Sequence, residues 1–146
     1  MPSLLKYTLT SGLENVNIET MLGKSHNFRW ALVAPSSPQF AGCYNIINQN
    51  HYVALHYYKE KEKPIVNDTV DARKLDPDDP CFVWKLQIVI NPHSTKKLIA
   101  IIPYEFAEKR LTAVDSFNEK IPQIKPNEGK QSQHWHLMYE NKPSKL

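Results

Sequence analysis

The feature of this sequence that most constrains its fold is the even spacing of its three tryptophans. They are 54 and 51 residues apart, and each has a large residue two positions before it and a leucine two positions after it. Residues two apart share one face of a β-strand, so each tryptophan and its leucine point the same way. The matching windows are Phe28-Arg29-Trp30-Ala31-Leu32, Phe82-Val83-Trp84-Lys85-Leu86 and Gln133-His134-Trp135-His136-Leu137.

The similarity extends beyond these windows. Fourteen residues after Trp30 and after Trp84, another apolar stretch begins, and an alternating stretch precedes each tryptophan. A fixed internal period of this kind is typical of repeat architectures. We therefore predict an all-β fold, a β-trefoil, with three repeats of about four strands whose tryptophans form the barrel core. The alternative is a β-sandwich in which the tryptophans are evenly spaced by accident.

The predicted trefoil is one domain over residues 1–140, followed by a tail over 141–146. Only thirty residues lead up to and include the first tryptophan, so the first repeat is expected to be short at its N-terminus, with its first strand short, displaced or absent. Residues 104–114 have the composition of a helix, but we expect a single turn there at most because the rest of the chain is rich in β-formers.

Composition excludes several classes of function. A net charge of +3, with a densest basic stretch at 59–63 that includes its own carboxylates, does not predict a nucleic-acid partner. No apolar run approaches the ~18 residues of a membrane span, and no secretion signal is recognisable, so an intracellular, cytoplasmic protein without a membrane partner is expected. The two cysteines, Cys43 and Cys81, are expected to be reduced core thiols, although one bridge between them is the alternative.

Catalytic and metal chemistry have little support in the sequence. There is no glycine-rich phosphate loop, no Gly-x-Ser-x-Gly and no His-Glu-x-x-His. His134 and His136 share a strand face, but two ligands are too few for a specific metal site, and two cysteines are too few for a cysteine-based zinc site. We therefore expect a protein that is not an enzyme, with no cofactor and no metal.

Three windows resemble the mycocypins, which are fungal β-trefoil inhibitors of cysteine proteases, with a closer likeness to the macrocypin branch. The likeness spans about residues 26–140 and is specific only in these windows, and the same barrel carries the ricin-B-like lectins, whose Gln-x-Trp signature occurs here once, at Gln133-His134-Trp135. The windows are Phe28-Arg29-Trp30 with Ser37 to Ile46, Cys81 to Gln87, and Trp135 to Glu140.

The resemblance implies a reversible inhibitor that contacts a papain-like protease or legumain through loops. The loop of the first repeat would correspond to Ser11, Gly12 and Leu13, where this chain is short. The legumain-binding loop maps, by order along the chain, to Asn48, Gln49 and Asn50, with an exposed Asn48 or Asn50 as the contact. Asparagine is also favoured in tight turns, so this tripeptide has a purely structural alternative.

A carbohydrate-binding function is the alternative. A ricin-type site combines a carboxylate, an aromatic platform and an amide in one repeat, and the third repeat offers Asp115, Phe117, Asn118 and Gln133. The second repeat adds Tyr52, Tyr57 and Tyr58, part of which we expect to face outward. The expected partner is thus a protease or a glycan.

The chain ends in Ser144, Lys145 and Leu146. This tripeptide is the signal read by the peroxisomal import receptor when it is terminal and exposed. Peroxisomal import is therefore an alternative to the cytoplasmic location.

Overall fold

The structure is a computed structural model, and it describes residues 7–11, 30–48, 53–60, 66–90, 98–116 and 119–139. These residues form ten strands and three short 3-10 turns. The strands are β1 (Tyr7–Ser11), β2 (Trp30–Val33), β3 (Asn45–Asn48), β4 (Val53–Lys59), β5 (Val66–Arg73), β6 (Trp84–Val89), β7 (Leu98–Pro103), β8 (Lys109–Ser116), β9 (Glu119–Pro126) and β10 (Trp135–Tyr139).

Six strands form a closed barrel, and the hairpins β4–β5 and β8–β9 lie outside it. Around the barrel, β1 pairs with β10, β10 with β7, and β7 with β6. A bridge between Tyr44 and Trp84 joins β6 to the start of β3, β3 pairs with β2, and β2 lies beside β1. In the second and third repeats, one barrel strand, a hairpin and a second barrel strand follow one another along the chain. This arrangement confirms the predicted β-trefoil.

The three tryptophans meet in one hydrophobic core. Trp30, Trp84 and Trp135 are at most 1 % exposed and belong to a single cluster. The cluster also contains Leu55 of β4 and Leu111 of β8, both fully buried. The predicted barrel core is therefore confirmed, and it is built where barrel and hairpins meet.

The first repeat is short, as expected, but its first strand is not missing. The strand β1 has five residues and pairs along its whole length with β10. The length of a repeat can be measured from the start of its first strand to its tryptophan. This length is 23 residues from Tyr7 to Trp30, against 39 from Asn45 to Trp84 and 37 from Leu98 to Trp135. The missing length thus lies between β1 and β2, in the segment that should hold the first hairpin, and not in the first strand.

Two further expectations are resolved in the core region. The helix-like segment 104–114 forms a turn followed by most of β8, because Leu111 and Ala113 alternate into the core. Cys43 and Cys81 are free and buried, as expected for core thiols. None of the elements in the described ranges is a helix with the length and apolar character of a membrane span.

Candidate functional site

Asn48 is not the exposed contact that the sequence suggested. It is the last residue of β3, pairs with Trp30 on one side and Val53 on the other, and is 0 % exposed. The turn therefore starts after Asn48, and the strand directs this side chain inward, so the expectation was wrong for this residue. Gln49 and Asn50 lie outside the described residues.

The other proposed protease contacts are not described as side chains. Ser11 is the last residue of β1 and pairs with Trp135. Gly12 and Leu13 lie outside the described residues, as do Ser144, Lys145 and Leu146 of the tail.

The predicted sugar-binding set does not form a site around Gln133. Its side chain is 2 % exposed and holds the loop before β10: Nε2 donates to Pro126 O at 2.7 Å and Thr112 Oγ1 at 3.2 Å, and Oε1 accepts from Glu128 N at 2.8 Å. Both N–H groups of this amide are thus engaged within the protein. The described contacts of Gln133 hold a loop, and its predicted contact with sugar stays a prediction.

Asp115 is exposed, but it lies near the other end of the β8–β9 hairpin, opposite Lys120. Three residues separate it from Thr112, which is about 10 Å at the rise of a β-strand. Phe117 and Asn118 lie outside the described residues. The two described members of the predicted set, Asp115 and Gln133, are therefore not brought together.

The tyrosines of the second repeat are also committed to internal contacts. Tyr57 is buried, and its hydroxyl donates to Pro80 O at 3.0 Å. The hydroxyl of Tyr58 donates to Asp71 and accepts from Arg73, whose guanidinium lies over the Tyr58 ring, 5.0 Å from its centre. The half-buried Tyr58 is thus covered by its own neighbour and is not an open platform. Tyr52 lies outside the described residues.

A cleft of about 180 Å³ lies between the β6–β7 ribbon and the base of the β8–β9 hairpin. Sequence reasoning missed it because its residues come from three strands, β6, β7 and β8, and from the segment between β9 and β10, and share no motif. The sequence contained one signal, a run of alternating apolar residues. One of these residues, Ile88, is 77 % exposed in the structure. The cleft is lined by Gln87, Ile88, Val89, Ala100, Arg110, Asn127, Gln133 and His134.

Arg110 is the dominant charge of this cleft. Its residue is 9 % exposed, and its Nη1 donates to the backbone oxygens of Ala107 at 2.6 Å and Lys109 at 2.8 Å. Burial lowers the pKa of Arg110, but a guanidinium stays protonated in proteins. In the part of the chain that the structure describes, no carboxylate pairs with it.

An incompletely neutralised cation at the wall of a cleft is an anion-binding feature. Burying a charge without a partner costs free energy, which an anionic ligand would recover. Within the described ranges, the hydrogen bonds of the Arg110 guanidinium are made by Nη1, which leaves the N–H groups on Nε and Nη2 as candidate donors to an anion. The fork geometry of these donors suits a carboxylate or a sulfate.

The other polar groups of the cleft are neutral. Burial lowers the pKa of His134, so its imidazole is uncharged at pH 7. The side-chain oxygen of Asn127 accepts a hydrogen bond from Gly129 N at 3.2 Å, so the amide N–H groups of Asn127 are the donors that it offers to a ligand. Gln87 also has an exposed side-chain amide. The cleft therefore offers one cation, several neutral donors and acceptors, and an apolar rim at Ile88.

The loop over residues 34–43, here called the proline loop, is a second feature with a fixed shape. It contains the 3-10 turn Pro38–Phe40, and backbone bonds run from Phe40 N to Ser37 O, from Ala41 N to Pro38 O and from Cys43 N to Phe40 O, at 3.0–3.2 Å. Phe40 is buried against Tyr104, with ring centres 5.1 Å apart. Most of the other loop residues are exposed on this anchored backbone.

Comparison with known proteins supports the fold and does not assign a function. No family model matches the chain, and no curated protein is significantly similar to it in sequence. Among solved structures, the designed threefold-symmetric protein ThreeFoil aligns with a TM-score of 0.62 at 14% identity, over 92% of this chain and 98% of its own. A BEL β-trefoil in an apo crystal form gives 0.62 at 10% identity, over 96% and 97%.

A mosquitocidal holotoxin aligns with a TM-score of 0.69 at 12% identity over 97% of this chain. The present chain spans only 18% of that toxin chain. Identities this low show a shared fold and do not transfer a ligand. The chain is thus a β-trefoil, and any function must be argued from its own residues.

Proposed function

We propose that this chain is a non-catalytic binding protein that recognises a glycan carrying a carboxylate or sulfate in the cleft lined by Arg110. The single observation that carries the proposal is the buried guanidinium of Arg110, which borders a cleft and lacks a carboxylate partner among the described residues. The site is an anionic group against Arg110, with sugar hydroxyls bonded by the neutral amides and the imidazole around it.

The size and composition of the cleft favour a sugar over a larger apolar ligand. Sites for drug-sized molecules are typically about 300–1,000 Å³ and mostly apolar. This cleft has about 180 Å³ and several polar groups, which suits one residue at the end of a glycan. The exposed Ile88 supplies an apolar contact for the C–H face of such a residue.

The experiment is a glycan array with fluorescently labelled protein, read at low and at moderate salt. We expect binding to glycans ending in sialic acid, uronic acid or a sulfated sugar, and weaker signals as salt screens the ion pair. Binding confined to neutral glycans would contradict the role of Arg110. A blank array would remove the carbohydrate proposal.

Inhibition of a cysteine protease is the second proposal, and the proline loop is the observation that favours it. An inhibitor loop gains affinity when its bound shape already exists, because little conformational entropy is then lost on docking. The anchor at Phe40 and the three backbone bonds give the proline loop such a shape. The mycocypin-like windows in the sequence point in the same direction.

This second proposal is tested by assaying papain-like enzymes and legumain with the purified protein. Inhibition at submicromolar concentration would support it, and the double variant Pro35→Gly, Pro38→Gly should then inhibit less. No effect on either enzyme at about 10 µM protein, which would saturate a site with a Kd of 1 µM, would exclude it.

The location of the protein is proposed from the terminal tripeptide alone. A fluorescent fusion at the N-terminus is expected to enter peroxisomes and to become diffuse when Leu146 is deleted. A diffuse signal from both forms would leave the cytoplasm as the location.

A further inference from the structure

A cluster of three potential metal ligands lies outside the cleft, in the second repeat. A ring nitrogen of His56, a carboxylate oxygen of Asp79 and the Sγ of Cys81 all lie within 4.8 Å of one another. His56 and Cys81 are buried, and Asp79 is half-buried. Imidazole, carboxylate and thiolate are the side chains that zinc takes as ligands.

We propose that His56, Asp79 and Cys81 bind a zinc ion, with a water molecule as the fourth ligand. The site could not be predicted from the sequence, because the histidine comes from β4 and the other two residues come from the turn that precedes β6, beginning 23 residues further along the chain. The hairpin β4–β5 brings them together. The site shares no residue with the glycan cleft, so the two proposals stand or fall separately.

The turn that carries two of the ligands is held by backbone and side-chain hydrogen bonds. It is the 3-10 turn Pro80–Phe82, with backbone bonds from Phe82 N to Asp79 O at 3.2 Å and from Val83 N to Pro80 O at 3.0 Å. Asp79 Oδ1 accepts from Cys81 N at 2.9 Å, which fixes the carboxylate beside the thiol. The second oxygen of Asp79 is left for a metal.

Asp71 orients the histidine. Its Oδ1 lies 3.1 Å from His56 Nδ1, which places the proton on Nδ1 and leaves the lone pair on Nε2. Zinc-bound histidines are commonly oriented by a carboxylate in this way. Asp71 would therefore be a positioning residue, and Nε2 would be the ligand atom.

The charges around the cluster nearly balance before a metal binds. Asp71 pairs with Arg73 at 2.6 Å and Glu105 with Lys59 at 2.7 Å, so Asp79 supplies the net negative charge. On binding, the Cys81 thiol gives its proton to solvent and ligates as a thiolate, which adds a further negative charge. Zinc–ligand bonds of about 2.0–2.3 Å put ligand atoms about 3.3–3.8 Å apart, so the cluster must contract slightly.

The third repeat shows that the fold does not require these residues. Asp79 and Cys81 stand five and three positions before Trp84, and the same positions before Trp135 hold Lys130 and Ser132. The third repeat forms the same 3-10 turn at Gln131–Gln133 without a side-chain cap.

The histidine has a counterpart as well. His56 follows Leu55, which accepts the Trp84 indole bond, and Thr112 follows Leu111, which accepts the Trp135 bond. Thr112 binds the Gln133 amide there. The same architecture is thus built in the third repeat without a single metal ligand, which indicates that the second repeat carries its three for another purpose.

The experiment is a titration of the reduced full-length protein with Co²⁺, a coloured substitute for zinc, followed by displacement with Zn²⁺. We expect a thiolate-to-cobalt charge-transfer band with a stoichiometry of one, which zinc abolishes. The band should be lost in Cys81→Ser and retained in Cys43→Ser, the matched control, because Cys43 is buried in a different cluster. Asp71→Asn should weaken the affinity about 10–100-fold.

Thermal unfolding supplies a readout that does not depend on the cysteine variant folding well. Zinc should raise the Tm of the wild type and of Cys43→Ser, because a ligand that binds only the native state stabilises it. It should not raise the Tm of His56→Gln. Absence of a thiolate band in the wild type at excess cobalt, or a band that survives in Cys81→Ser, would overturn the proposal.

Discussion

The indole N–H of Trp84 donates a hydrogen bond to the backbone oxygen of Leu55 at 3.2 Å. Trp135 makes the equivalent bond to Leu111 at 2.9 Å, so the second and third repeats attach hairpin to barrel in the same way. Trp30 Nε1 is buried and has no such acceptor among the described residues.

This asymmetry predicts different costs for the same substitution. Trp84→Phe should lower the free energy of unfolding more than Trp30→Phe does, because it also leaves the Leu55 carbonyl without its donor. The difference is expected to be about 1–3 kcal/mol, the cost of an unsatisfied buried group. Urea unfolding monitored by circular dichroism measures both variants.

The matched control is Trp135→Phe, which should resemble Trp84→Phe. Equal losses in the free energy of unfolding for all three variants would mean that the indole N–H of Trp30 also has an acceptor, and would contradict the prediction. Truncation to alanine is a coarser check, with an expected loss of about 3–5 kcal/mol at any of the three positions.

The proline loop depends on the backbone conformation of Gly42. Its φ is +82°, and a Cβ added there would meet nothing within 4 Å. Gly42→Ala should therefore lower the free energy of unfolding by about 1–2 kcal/mol, through strain in the backbone and not through a steric clash. Gly42→Asn should recover part of the loss, because asparagine tolerates this region. Urea unfolding is again the measurement, and an alanine variant as stable as the wild type would refute the prediction.

His134 should make stability depend on pH. Burial holds its pKa in the native state below the value of about 6.5 expected when unfolded, so between the two values the unfolded chain binds more protons. The free energy of unfolding should therefore fall as the pH drops below about 6.5.

The control for this prediction is His134→Gln, whose stability should decline less over the same range of pH. The other histidines contribute equally to both proteins, so the difference in slope isolates His134. Identical slopes would show that the residue is not protected from protons in the native state.

The charge of the glycan cleft can be neutralised by a substitution at an exposed position. Gln87 is exposed and lines the cleft, so Gln87→Glu should place a carboxylate beside Arg110 and weaken binding of acidic glycans at least about tenfold, or 1.4 kcal/mol. Gln39→Glu is the matched control, because Gln39 is exposed on the proline loop. If both variants bind alike, the ligand does not occupy the cleft.

The barrel was predictable because its core uses a rare residue at a regular spacing. Trp30, Trp84 and Trp135 must face the core together, and a period of about fifty residues allows few other folds. The sequence could not show which part of the first repeat is shortened, since the chain before Trp30 is equally short whether β1 or the segment after it is reduced.

The side-chain environments were not predictable. Asparagine is common in turns, yet Asn48 is buried at the end of a β-strand. Glutamine is common in sugar-binding sites, yet the side-chain amide of Gln133 forms hydrogen bonds that hold a loop. Their burial depends on where each strand ends, to within a single residue. Arg110 and the His56 cluster were missed for a related reason, because their neighbours come from distant parts of the chain.

The most direct test of the proposed function is an NMR titration of the labelled protein with the acidic glycan that binds best on the array. The account predicts that the side-chain N–H of Arg110 and the backbone amides of Asn127 and His134 shift most, saturating at one site. Shifts confined to the proline loop or to the β4–β5 hairpin, with the cleft unchanged, would contradict it.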